Sequence, residues 1–254
     1  MPAEPVSAPD YTKSIVIVDP DSVWGTRSTI GLAEQAARLG APSVYERRGT
    51  LIFQDTFSCG LASWAIAGSG TGRTMTLACD RSEFGGYSAL LETGTGASPY
   101  SQIHHSQPWL GAWSRMGLEA HISSNAATKF LRVRVTIYDG TFSGAYELEI
   151  SYNTYNVYVM TAGPAWTTVA NIGLISMGDT LFNAIKLVID PENHQYVRAY
   201  INHDEIDLSA YAPHLAPLAD RAPCSLRIGG EGDGTTSGKV WIDRVIFTEG
   251  EPAE

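Results

Sequence analysis

From residue 50 onward, apolar and polar side chains alternate with a period of two. In FLRVRVTIYD, Leu131, Val133, Val135 and Ile137 alternate with Arg132, Arg134, Thr136 and Tyr138, the pattern of a strand with one face in a core and one toward water. YELEISY repeats it, setting Tyr146, Leu148, Ile150 and Tyr152 against Glu147, Glu149 and Ser151, and NAIKLVID does so through Ile185, Leu187 and Ile189. The same reading predicts further strands at 51–57, 73–79, 87–92, 113–122, 155–160, 166–172, 195–201, 224–229 and 239–247. Turn signals such as YDG, DPEN and INHDE lie between them, and no helical period intervenes after Gly40. A parallel sheet needs crossover connections of about a dozen residues, usually helical, so the pattern predicts an all-β fold, an antiparallel two-sheet jelly-roll sandwich. The stretch 203–222, with Pro213 and Pro217, reads as a long connection crossing one end of the sandwich.

One segment has a different period. TIGLAEQAARLG predicts a short amphipathic helix over about 29–39, with Ser28 or Thr29 as N-cap, Ile30, Leu32, Ala33, Ala36, Ala37 and Leu39 as its apolar side, and Gly40 and Pro42 as its stop. A helix of about eleven residues is marginal alone in water, so this stripe must dock on the main domain or on another subunit. Ahead of it, Pro2, Pro5, Pro9 and Pro20 favour an extended arm, although SIVIVD at 14–19 can add itself as a strand to a neighbouring sheet. The chain therefore divides into an extended N-terminal arm with one short helix, 1–48, and a β-sandwich domain, 49–254. Ile15, Ile17, Trp24, Ile30, Leu32 and Leu39 are the candidate assembly contacts.

Composition narrows the partners. Of 254 residues 44% are hydrophobic and 10% aromatic, enough for a large core, and the net charge of -10 argues against nucleic acid or an anionic membrane as partner. The basic pairs Arg47–Arg48 and Arg132/Arg134 are too short to make a stripe. The N-terminus lacks the basic start and apolar core of a signal peptide, and no apolar run is long enough for a transmembrane segment, so a soluble protein is expected. Cys59, Cys79 and Cys224 lack zinc-site spacing and are odd in number. They read as buried thiols, with a Cys59–Cys79 bridge left open.

Two resemblances extend this reading. LIFQDTFSCGLASWAIAG followed by GGYSALLETG resembles the opening of the concanavalin A-like lectin, laminin-G and carbohydrate-binding jelly rolls, in which a strand, an acidic turn and a Trp precede a Gly-Gly and an apolar strand. IKLVIDPENHQYVRAYINHDEIDL is similar to a strand pair of those domains and GKVWIDRVIFTEG to their final strand, so the likeness spans residues 50–250. The block GLAEQAARLGAPSVYERRGTLIFQDTF resembles an arrangement in uncharacterised bacteriophage proteins, where a short helix and an R-R-G turn feed such a jelly roll. That resemblance implies a virion component.

Glucanases of this fold resemble one another in an E-x-D-x-E or E-x-D-x-x-E strand that sets nucleophile and general acid on one face. ELEIS places Glu147 and Glu149 on one face but departs at the central Asp, and Ile150 and Ser151 stand where a third carboxylate belongs. The pair reads as solvated glutamates, so no catalytic residue is assigned and a non-enzymatic protein is expected. His104–His105 fits no helical metal motif and reads as loop, and GSGTGR at 68–73 precedes a strand and reads as a turn. The lectin-like resemblance implies loop carboxylates for calcium. Asp190 and Glu192 in DPEN, Asp204 in NHDE, and Glu231 and Asp233 in EGDG supply oxygen ligands without the spacing of a defined loop, so no cofactor is assigned. A sugar site needs exposed aromatic rings with amides beside them. Trp109 in a Pro-Gly loop and Tyr158, which shares a face with Asn156 opposite Tyr155, Val157 and Val159, are the candidates, whereas Trp64, Trp113, Trp166 and Trp241 are expected in the core.

These readings converge on a bacteriophage virion structural protein, a capsid decoration, minor capsid or tail part. It would act through neighbouring copies of itself, as a trimer or other cyclic oligomer, and through other virion proteins, with cell-surface glycan as a further contact. A carbohydrate-binding lectin-like module is the alternative, and a glycoside hydrolase the third reading.

Overall fold

The computed structural model describes residues 49–83, 86–107, 114–173, 181–218 and 224–253. The expected arm and helix, with Ile15, Ile17, Trp24, Ile30, Leu32 and Leu39, lie outside the described residues, as do Trp109 and Trp113.

The described residues form sixteen strands and no helix, arranged as two antiparallel sheets of eight. The first sheet runs β13 (Asp204–Asp207), β12 (Gln195–Ile201), β11 (Asn183–Asp190), β6 (Met116–Ser124), β16 (Lys239–Glu249), β4 (Ser88–Glu92) and β3 (Thr74–Ala78), with β1 (Thr50–Asp55) also on β16. The second runs β10 (Ala165–Asn171), β9 (Asn156–Thr161), β8 (Phe142–Ser151), β7 (Thr128–Tyr138), β15 (Cys224–Gly232), β5 (Tyr100–Gln107) and β2 (Ala65–Gly68), with β14 (His214–Pro217) also on β8.

The core lies between the sheets and uses the alternation of the central strands. Leu131, Val133 and Val135 of β7, Leu148 and Ile150 of β8, and Leu226 and Ile228 of β15 are buried with Leu118 and Ile122 of β6, Ile185 and Leu187 of β11, and Val245 and Phe247 of β16. A Leu or Ile side chain removed from water in this way contributes about 1.5–3 kcal/mol. The positions between these residues form the outer faces.

On the first sheet that outer face is itself covered. Ser82 donates to Asp243 at 2.6 Å, Glu83 meets His121 at 2.7 Å, and Arg198 donates to the carbonyls of Pro252 and Ala253 at 3.1 and 3.2 Å. Gly117 fits here because a Cβ would stand 2.6 Å from Glu251 Oε1 and 2.9 Å from Lys186 Cε, in the space the Lys186–Glu251 pair occupies. Trp241, on the same side, is buried under the Arg81 guanidinium, 3.6 Å from the ring centroid.

Three expectations change. YSQIHHSQ is the strand β5, not a loop: its inward positions are Ser101, Ile103 and His105, and the polar residues among them mask the period. His105 is held by Ser63 O at 2.8 Å from Nδ1 and stacks on Phe53. The stretch 203–222 is not a bare connection, since it contributes β13 to the edge of the first sheet and β14 to the second. Cys59 and Cys79 are exposed and unbonded, and only Cys224 is buried.

Candidate functional site

The outer face of the second sheet carries a band of charged and aromatic side chains. Antiparallel register sets residues directly opposite one another across neighbouring strands. One row crosses five strands as Tyr158, Glu149, Arg132, Gly229 and Gln102. The next crosses four as Glu147, Arg134, Arg227 and His104. Both rows are fixed by the inward alternation of their strands, because a slip of one residue would turn Leu131, Val133 and Leu148 to the surface.

Glu147 and Glu149 do share this face, but they are not solvated: they are 4% and 5% exposed. The arginines directly opposite cover and pair with them. Arg132 Nε donates to Glu149 Oε2 and its Nη2 to Glu231 Oε2, both at 2.6 Å, while Arg134 Nη1 donates to Glu147 Oε2 at the longer distance of 3.4 Å. Burial pushes the Glu149 carboxyl above the usual carboxylate range despite Arg132, and pushes Glu147 up against the opposing fields of Arg134, Arg132 and Arg227. Glu147 is thus a buried carboxyl held by one long hydrogen bond. At the position of a third carboxylate, Ser151 accepts from the Thr154 amide at 3.4 Å.

Toward β10 the face becomes aromatic and amide-rich. Asn156 Nδ2 donates to Tyr158 OH at 3.3 Å, and Asn171 Nδ2 donates to Asn156 Oδ1 at 2.8 Å and to Thr154 O at 2.9 Å. Trp166, expected in the core, is 36% exposed, and the Arg132 guanidinium lies 5.7 Å from its ring centroid. The signal for this was present in AWTTVAN, where Trp166 shares its phase with Thr168. Trp64 is buried as expected and donates to Asp55 Oδ2 at 2.8 Å. Asn156 and Tyr158 are therefore brought together with Asn171 and Trp166, a set of ring faces and amides of the kind that sugar rings and hydroxyls meet.

Between Arg132 and Gln102 the row has no side chain. A Cβ at Gly229 would stand 2.0 Å from Ser101 O and 2.6 Å from Gln102 Cα, so β15 and β5 approach too closely for any larger residue. Beyond this gap, Arg227 and His104 complete the basic end of the face. Burial, helped by Arg227, holds the His104 imidazole below its ordinary pKa.

The calcium candidates fall in separate places. Asp190 accepts from the Asn193 amide at 3.1 Å and pairs with Arg115 at 3.2 Å, and Glu231 is bound to Arg132. Asp233 accepts from the amides of Thr235 and Thr236, both at 2.8 Å, which hold its carboxyl below the usual range. Glu192 and Asp204 are exposed, the latter 3.9 Å from His203 Nε2. Among the described residues no three His, Cys, Asp or Glu side chains stand together so as to hold a metal.

No protein-family model matches the chain, and no curated protein matches its sequence. Solved structures do match its fold. The cellulose-induced protein Cip1 aligns with a TM-score of 0.56 at 13% identity, over 78% of this chain and 97% of that one. A conserved carbohydrate esterase from the Shiga toxin-encoding bacteriophage phi24B aligns with a TM-score of 0.52 at 14% identity, over 80% and 99%. A glycoside hydrolase family 16 endo-glucanase from Bacteroides ovatus aligns with a TM-score of 0.50 at 10% identity, over 77% and 99%. At these identities the likeness shows the fold, which is a concanavalin A-like jelly roll. It also corrects the expectation of a non-enzymatic protein, because the fold is shared with an esterase and a glucanase and is therefore compatible with catalysis. Among the described residues, no helix is long and apolar enough to cross a membrane.

Proposed function

We propose that this chain is a carbohydrate-binding jelly-roll domain whose glycan site is the outer face of the second sheet. The observation that carries the reading is the exposed Trp166 beside Tyr158, Asn156 and Asn171, an aromatic and amide surface on a rigid sheet. The fold neighbours support it, since one is an esterase named for carbohydrate and another a glucanase. Sugar rings would stack their apolar faces on Trp166 and Tyr158 while the amides take the hydroxyls. A glycan array followed by calorimetric titration tests this. Trp166→Ala and Tyr158→Ala should each weaken the strongest ligand, and Tyr87→Ala, an exposed aromatic elsewhere, should leave it unchanged. Equal binding by all three variants and the parent protein would refute the assignment.

A second reading, catalysis on the bound glycan, is favoured by Glu147, a buried carboxyl on the same face whose pKa burial raises. It predicts product release that Glu147→Gln abolishes while binding persists. A bacteriophage particle as setting, with copies of itself and other virion proteins as partners, is proposed from the N-terminal block, and the phage-encoded fold neighbour is consistent with it. Mass spectrometry of purified particles from the source phage or lysogen checks that setting: absence of the chain would remove it.

A further inference from the structure

The ion pairs on the second sheet are unevenly shared. Glu149 and Glu231 both bind Arg132, and Glu147 binds Arg134, so the carboxylates of the face are taken by two of its three arginines. Arg227 is directly opposite Arg134, a like-charge pairing that a sheet ordinarily avoids. Its Nε is buried and, among the described residues, has no hydrogen-bond partner. Two residues along the same face of β15, Ser225 Oγ is likewise buried without a partner. On the other side of Arg227 stands His104, whose depressed pKa keeps the imidazole neutral at neutral pH, so that it adds a hydrogen-bonding group without further repulsion.

We propose that Arg227, with Ser225, Arg134 and His104, forms a subsite for an acidic sugar residue, its charge a carboxylate or a sulfate ester. An anion against the part-exposed Arg227 guanidinium supplies it with a counter-ion and relieves the repulsion between the two guanidiniums, and its approach lets the Nε and the Ser225 hydroxyl, buried in this structure, turn toward an acceptor. The proposal rests on the glycan-binding reading of this face. It adds that the aromatic end takes the neutral part of the chain and the basic end its charged residue.

The test is a glycan array of matched pairs, uronate oligosaccharides beside their carboxyl-reduced forms and sulfated oligosaccharides beside their desulfated forms. The acidic member of at least one pair should bind about tenfold more tightly than its neutral counterpart, the size of one charge-assisted hydrogen bond. Which kind of pair shows the preference identifies the anion. Arg227→Gln should bring the ratio to about one while retaining affinity for the neutral member, and Arg227→Lys should restore part of the preference. Because Arg227→Gln removes a like-charge neighbour, its unfolding midpoint should equal or exceed that of the parent protein. Ser225→Ala provides a second variant with a smaller loss of preference. Equal binding of acidic and neutral members, or a preference that survives Arg227→Gln, overturns the subsite and leaves the glycan face standing. Binding to no glycan at all overturns both.

Discussion

On the outer face of the first sheet, Lys186 Nζ lies 2.8 Å from Glu251, His121 sits between Glu83 and Glu119, and the chain at 82–83 and 250–253 passes over them. On the outer face of the second sheet, Arg132 is equally well paired, but Trp166 is exposed and the Arg227 Nε has no acceptor. Both faces hold charge in poorly solvated positions. The first pairs its charges within the chain, Lys186 with Glu251 and His121 with Glu83 and Glu119, and so uses them to fix structure, whereas the second presents an exposed ring and a part-exposed arginine, Arg227, whose Nε has no acceptor among the described residues. Buried charges that are paired specify a fold, and one without a counter-ion calls for an explanation, a bound ion or ligand among them.

Breaking the first face should cost the most stability. Glu251→Ala removes the buried carboxylate that pairs with Lys186 and accepts from Thr248, and should lower the free energy of unfolding by about 3–5 kcal/mol in urea titrations, with glycan affinity unchanged in whatever fraction stays folded. The next effect is one of pH. Burial alone would lower the His121 pKa, but Glu119 and Glu83 outweigh it and raise the group from 6.5 to about 9. A raised folded-state pKa means stability that is fully present below pH 6.5 and lost as pH rises through 9. The change is roughly 3 kcal/mol. In His121→Gln the fall in urea midpoint between those pH values should flatten, and an unaltered slope would show that the imidazole is not responsible.

Disturbing the second face should cost less stability and more binding. Arg132→Gln leaves Glu149 and Glu231 without their shared partner, for about 2 kcal/mol in the same assay, and raises the Glu149 pKa further. Trp166→Ala should move stability by no more than about 0.5 kcal/mol, as expected of an exposed side chain. Its effect should appear in titration calorimetry as a several-fold loss of glycan affinity, on the order of one aromatic contact.

How far the sequence reveals this depends on which residues face inward. β7, β8 and β11 are legible because Leu, Val, Ile and Tyr hold most of their inward positions, and the same alternation puts Asn156 on the face of Tyr158. β5 is not legible because Ser101 and His105 point inward, and the four-residue strands β2 and β14 each have a single branched residue, Ile66 and Leu215, too few to show a period. Within the site, the shared face of Glu147 and Glu149 can be read from ELEIS, but their burial cannot, since it comes from arginines on a strand that precedes them by a turn and pairs in a register only the fold sets. Trp166 is misplaced because an aromatic residue in a strand usually packs inside, a habit that outweighed its phase with Thr168. Arg227 stands between inward Leu226 and Ile228, so its side is legible, while the pairing of the nearby carboxylates with Arg132 and Arg134 instead depends on β7 and β8.

The account stands or falls on which outer face meets the glycan, and the two tryptophans report on both at once. Titrating isotope-labelled protein with the strongest array ligand, nuclear magnetic resonance should show the Trp166 indole N–H, the Asn156 and Asn171 side-chain amides and the Arg227 Nε–H shifting together, while the Trp241 indole N–H stays in place. Movement of Trp241 with Trp166 unmoved would put the ligand on the first sheet and contradict the account.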